Sequence, residues 1–140
     1  MKANEFDRDI EVRGLDGQRA ALRMLDPDRA EQTLGVRAAP DGNWDAQTKW
    51  LRQQAVDWAT HQEAGHLPRG MVWQAFQTTL LPRLSYALPA THLSKQQCEE
   101  VLKKCMKKFL PKAGIAWTVP VVLHHAPATL TGFGIPNLYI

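Results

Sequence analysis

Six lysines, Lys95, Lys103, Lys104, Lys107, Lys108 and Lys112, fall within residues 95–112, and they are the side chains of this chain best suited to act on a ligand. On a helix of 3.6 residues per turn, Lys103, Lys104 and Lys107 lie opposite a stripe of Cys98, Cys105 and Phe109, and Lys108 flanks that stripe. Ammonium groups banded in this way neutralise phosphates and release counterions, a contact that is independent of base sequence and weakened by salt. Glu99 stands four residues before Lys103 and Glu100 four before Lys104, so each can form a helical ion pair of about 0.2–0.5 kcal/mol. Lys107, Lys108 and Lys112 have no acid at that spacing, and cations near a helix carboxyl end are also favoured by the macrodipole. A solvated lysine face therefore accounts for the same pattern as a phosphate-binding one. Arg69, and less strongly Arg83, are the other cationic candidates.

Other chemistries find little support. Cys98 and Cys105 lie seven residues apart on one predicted helix, about 10 Å along its axis, too far for a mutual disulfide, and are expected to be reduced core residues. His61, His66, His92, His124 and His125 supply no Cys/His spacing of a zinc site, so no metal or cofactor is expected. Beside His124 and His125 stands no suitably spaced Ser, Cys or carboxylate pair, which points to packing or surface roles. Of five tryptophans, Trp44, Trp58 and Trp73 fall on core-facing stripes, leaving Trp50 and Trp117 as candidates for base stacking.

The charge is unevenly placed. The net charge of +3 and isoelectric point near 9.0 conceal a segment 1–94 with eleven basic and twelve acidic residues, a segment 95–112 with six lysines against two glutamates, and a segment 113–140 with no charge. That last stretch is broken by Pro120, Pro127, Gly132, Gly134 and Pro136 and is no membrane span. The amino-terminal residues lack the pattern of a secretory or transit segment, and a cytoplasmic or nuclear location is expected.

The elements that must position these groups read as mainly α: a short N-terminal β element (1–43), a three- to four-helix bundle (44–112) and an uncharged tail (113–140). Turn signals at Gly14-Leu15-Asp16-Gly17 and Leu25-Asp26-Pro27-Asp28 frame residues 18–25, readable as a strand or a helical turn. Asp28 is expected to cap a short helix through Gln32, before a strand over residues 33–38. After the Asp41-Gly42-Asn43 turn, Trp44, Leu51, Ala55, Trp58 and Gln62 mark an amphipathic helix ending at Gly65 as a left-handed stop. Pro68 opens a second helix with a broad apolar arc from Val72 to Ala87, in which Pro82 predicts a kink near Thr78-Thr79 or a break at Leu81. Ser94 and Gln97 form a capping-box pattern for the third helix, which Pro111 and Gly114 should stop. A short fourth helix is expected after Pro120, running through Val122-Leu123-His124-His125, and another element at Pro136. Short connections favour antiparallel neighbours.

Three separated strings, Thr33-Leu34-Gly35-Val36 with Asp41-Gly42-Asn43, Leu81-Pro82-Arg83-Leu84-Ser85-Tyr86, and Gly132-Phe133-Gly134-Ile135-Pro136-Asn137-Leu138, occur in the order and rough spacing seen in retrotransposon-type (non-LTR) reverse transcriptases. Across residues 14–139 the chain resembles the part of that family that follows the palm. The resemblance implies strands beside the primer grip followed by a helical thumb, whose partner is a primer-template duplex of RNA-DNA or DNA. It also implies a palm and fingers domain elsewhere. Family members hold catalytic metal ions with a paired-aspartate motif, and no Asp-Asp pair occurs here. The expectation is a non-catalytic C-terminal fragment of an RNA-directed DNA polymerase, gripping nucleic acid through Lys103, Lys104, Lys107, Lys108, Lys112 and Arg69. The alternative is a helical protein-interaction module, or degenerate retroelement remnant, exposing the apolar face of its uncharged tail.

Overall fold

The computed structural model describes residues 11–15, 17–21 and 26–139. Two antiparallel hairpins precede the helices: β1 (Glu11–Arg13) with β2 (Arg19–Ala21), and β3 (Glu31–Thr33) with β4 (Val36–Ala38). The mainly helical class with a short N-terminal β element is therefore what the chain adopts. What was expected of residues 22–25, and of the amino-terminal ten, lies outside the described residues.

The second hairpin corrects one expectation. Residues 28–32 form no helix; Glu31, Gln32 and Thr33 pair instead with Ala38, Arg37 and Val36. The cause is the two-residue turn Leu34-Gly35, whose φ values of 50° and 83° are those of a tight primed hairpin turn. Such a turn pulls the residues on both sides into register, and glycine makes its second position free of strain.

Three helical rods build the core. The first is α1 (Asp45–Ala64); the second is a composite of α2 (Arg69–Ala75), a π-helical turn (Phe76–Leu80) and α3 (Leu81–Ser85); the third is α4 (Lys95–Lys112). Asp45 Oδ1 accepts from Gln97 at one end of the α1–α4 pair, and Glu63 meets Lys108 at the other, so these two helices run parallel. The composite rod returns between them, with Arg69 against Gly114 at one end and the Tyr86 hydroxyl donating to the Leu34 carbonyl at the other. Consecutive rods are antiparallel, as their short links dictate.

The kink expected from Pro82 takes a definite form. Proline has no N–H to donate to the carbonyl four residues back, and the ladder shifts there: the Leu81 amide bonds to the Phe76 carbonyl five residues back. Thr78 and Thr79 donate their hydroxyls to the carbonyls of Gln74 and Ala75, and Thr79 Oγ1 also accepts from Trp58 Nε1 at 2.9 Å. The wider turn has a packing consequence. Val72, Phe76, Leu80 and Leu84 recur every fourth residue, a spacing that drifts about 40° per step on an α-helix. The π turn offsets part of that drift, and all four side chains are buried.

An aromatic group fills the space between the rods. Phe76 stacks on Phe109 with ring centroids 4.4 Å apart; Trp73 stacks on Phe109 at 5.5 Å, and Trp58 meets Phe76 edge-on at 5.9 Å. Such pairs add about 0.5–1.5 kcal/mol each beyond the area they bury.

α4 begins with the full capping box, Gln97 N–H to Ser94 Oγ and Ser94 N–H to Gln97 Oε1. It does not stop at Pro111, which lies in its last turn. The helix ends in a Schellman arrangement, Ile115 N–H to the Leu110 carbonyl and Gly114 N–H to the Pro111 carbonyl, with Gly114 at φ 84°. Gly65, by contrast, ends α1 with an extended backbone and not a left-handed one. The tail forms α5 (Val121–His125) as expected, then a 3₁₀ turn (Ala128–Leu130), but no element starts at Pro136. Residues 133–138 lie instead as an extended return that drives Ile135 and Leu138 into the core. Replacing Ser94 by Ala should lower the unfolding free energy by about 1 kcal/mol. Thr79→Val, which strips both hydrogen bonds from the π turn, should cost about 1–2 kcal/mol, both changes read from urea midpoints at constant m-value.

Candidate nucleic-acid interface

The lysine positions follow from how α4 is buried. Cys98, Val101, Leu102, Cys105, Phe109 and Leu110 face the core, so Lys103, Lys104 and Lys107 stand exposed on the other side. None of the three has an ion-pair or hydrogen-bond partner among the described residues. The expected Glu99–Lys103 and Glu100–Lys104 pairs do not form. On an exposed helix such a pair gains a few tenths of a kcal/mol, no more than the side-chain freedom it removes.

Lys108 and Lys112 are placed differently. Both reach across to the end of α1: Lys108 Nζ meets Glu63 Oε2 at 2.7 Å and Thr60 Oγ1 at 3.2 Å, and Lys112 Nζ donates to the Gly65 carbonyl at 2.7 Å and the Glu63 carbonyl at 3.3 Å. Those carbonyls belong to the carboxyl end of α1, where the last C=O groups lack intrahelical partners and carry the negative end of the dipole. Two of the six candidates thus hold the bundle together. The sequence signal was weak because the partner acid lies 45 residues away and not four.

Arg69 is exposed at the start of α2, its Cδ and Nε lying over the glycine face of Gly114, where an added Cβ would come within 2.9 Å. It therefore shares the end of the bundle with Lys108 and Lys112. Arg83 is exposed on α3. The free cations Lys103, Lys104 and Lys107 and the anchored group Arg69, Lys108 and Lys112 occupy successive turns of one end of α4 and its neighbours.

Of the stacking candidates, Trp50 packs half-buried against the core, whereas Trp117 is 64% exposed. The thiols are inert: burial pushes Cys105 up to about 12 and, together with the nearby Glu99, raises Cys98, so neither supplies thiolate at neutral pH. An open hollow of about 600 Å³ lies at the other end of α4 between His92, Gln97 and Leu138, but its lining includes no Lys, Arg, Asp or Glu and offers nothing to a phosphate. Among the described residues no group of three His, Cys, Asp or Glu side chains is placed to hold a metal ion, and no helix is long and apolar enough to cross a membrane.

Two features escaped sequence reasoning. Gln47 is fully buried, its Oε1 accepting from the Arg37 amide at 2.8 Å and so fastening the β3–β4 hairpin to α1. His124 is buried too, and burial followed by the neighbouring His125 lowers its pKa below the ordinary imidazole value.

No protein-family model, curated protein or solved structure matches this chain. The two lysine classes separate by experiment. Lys112→Met keeps the aliphatic stem but uncovers the α1 carbonyls and should cost about 1 kcal/mol in chemical unfolding. Lys107→Met should stay within about 0.5 kcal/mol of the parent.

Proposed function

We propose that this chain is the thumb, with the strands that lead into it, of a retrotransposon-type reverse transcriptase, and that it grips a primer-template duplex by its phosphates without making bonds itself. The observation that carries this reading is the row of Lys103, Lys104 and Lys107. These are three unpaired cations on a helix whose orientation is fixed by its buried face. Their rigidity matters, because charges on a held helix lose less freedom on meeting a polyanion than charges on a mobile loop.

The arrangement of the three resembling strings adds support. Tyr86 of the second reaches the Leu34 carbonyl of the first, and Ile135 and Leu138 of the third enter the core. Local geometry gives the glycines of the third string their reason: a Cβ on Gly132 would lie 2.1 Å from the Ala126 carbonyl oxygen, and Gly134 has φ 62°. The missing aspartate pair fits a part that positions the duplex while a palm elsewhere supplies the metal-holding carboxylates.

A second reading, a protein-interaction module, rests on the exposure of Trp117, Val121, Val122 and Leu130 within the charge-free tail. A stable dimer in sedimentation, unaffected by changing the lysines, would favour it.

Fluorescence anisotropy with an RNA-DNA hybrid separates the two. Three phosphate contacts give a slope of log K against log salt near −2.7, so affinity should fall about 40-fold between 50 and 200 mM salt. Changing Lys103, Lys104 and Lys107 together to Ala should flatten that slope. Salt-independent binding, or none at low salt, would remove the proposal.

A further inference from the structure

The tail is closed by a small set of bonds that converge on two histidines. Ile135 N–H donates to the His124 carbonyl, the His125 ring Nδ1 bonds the Ile135 carbonyl, and Phe133 and Gly134 donate to the Leu123 and Ala126 carbonyls. The Phe133 ring lies against His124, with centroids 6.2 Å apart, and against Trp73 of the core at 6.4 Å. His124 is 8% exposed, and its Nε2 is buried with no hydrogen-bond partner. A neutral imidazole tolerates that position at the cost of one missing bond, but an imidazolium there would carry a charge with no acceptor.

We infer that His124 is an acid-sensitive latch: a proton on its ring drives α5 away from Phe133 and opens residues 126–135 while the three-rod core stays folded. The surroundings offer the proton no compensation. On α5 the titratable neighbour is His125, a like charge when protonated; Phe133 and Val119, from the segments before and after, are uncharged, and residues 113–139 contain no Asp or Glu. Burial and His125 both lower the His124 pKa in the folded state, and the Val119 backbone opposes them more weakly. The sign of the linkage follows. The unfolded or opened segment takes up a proton near pH 6.5 that the closed one refuses, so closure is strongest above about 6.5 and weakens as pH falls below it.

The opening is local because the bonds that close the tail are separate from those that hold the rods. Phe76, Phe109 and the α1–α4 contacts do not involve His124. Acid therefore uncovers Phe133 and loosens Ile135, adding apolar surface next to Trp117 and Val122, which are already exposed.

Site-resolved amide exchange of the full chain between pH 7.5 and 5.0, corrected for intrinsic rates, tests this. The Phe133, Gly134 and Ile135 amides should lose protection as pH falls below 6.5, by up to about tenfold per pH unit, the limit for one linked proton. The Val101 and Cys105 amides should not change. His124→Phe, an uncharged ring of similar shape, should abolish the pH dependence, whereas His66→Ala should leave it intact. NMR titration of the wild-type ring should place His124 below 6.5, and this measurement decides the matter if the His124→Phe protein does not fold. Acid sensitivity that persists in His124→Phe, uniform loss of protection that includes α4, no acid effect, or a His124 ring titrating at or above 6.5 would each overturn the inference.

Discussion

The stack of Phe76 on Phe109 is the contact from which the other packing relations in this protein follow. It joins the π turn of the middle rod to the last helix, and Trp58 and Trp73 close around it from α1 and α2. Phe133 then reaches this group through Trp73, so a line of rings runs from the first helix to the tail. A small bundle with few large aliphatic residues obtains much of its burial from these rings. Their preference for offset and edge-on contacts also sets the rotation of each rod about its axis. That rotation is what turns Lys103, Lys104 and Lys107 outward.

A parallel pair of helices carries an electrostatic cost that an antiparallel pair avoids, since like dipole ends lie side by side. At the carboxyl end of the α1–α4 pair the sequence answers with Lys108, Lys112 and Arg69, and Lys112 lies directly on the exposed carbonyls. At the amino end Asp45 sits in the first turn of α1 and accepts from Gln97, while Ser94 satisfies an α4 amide. The lysine-rich segment therefore has two duties. Part of its charge balances the fold, and part faces solvent with nothing to balance it.

Much of this architecture was legible in the sequence where the cause is local. Ser94 and Gln97 announced the start of α4 because the capping box needs four residues, and Pro82 announced a fault in the middle rod because a missing N–H acts on its own turn. The core face of α4 followed from periodicity. What the residues did not reveal depends on distant partners: the capture of Lys108 and Lys112 by α1, the fastening of the hairpin by Gln47, and the burial of His124 beneath Phe133. The β3–β4 hairpin was missed for a different reason. Leu34 is a poor predictor of a left-handed turn position, and its helical alternative had a plausible cap in Asp28.

The π turn makes the middle rod sensitive to length in an unusual way. Losing one residue between 76 and 80 would let a regular α ladder re-form there, yet everything beyond it would rotate by about 100°. Leu84 and Ala87 would leave the interior, and the Tyr86 hydroxyl would swing off the Leu34 carbonyl. Substitutions along this rod can be absorbed by neighbouring side chains, whereas a single-codon deletion would uncouple the hairpin from the bundle with every hydrophobic residue still present.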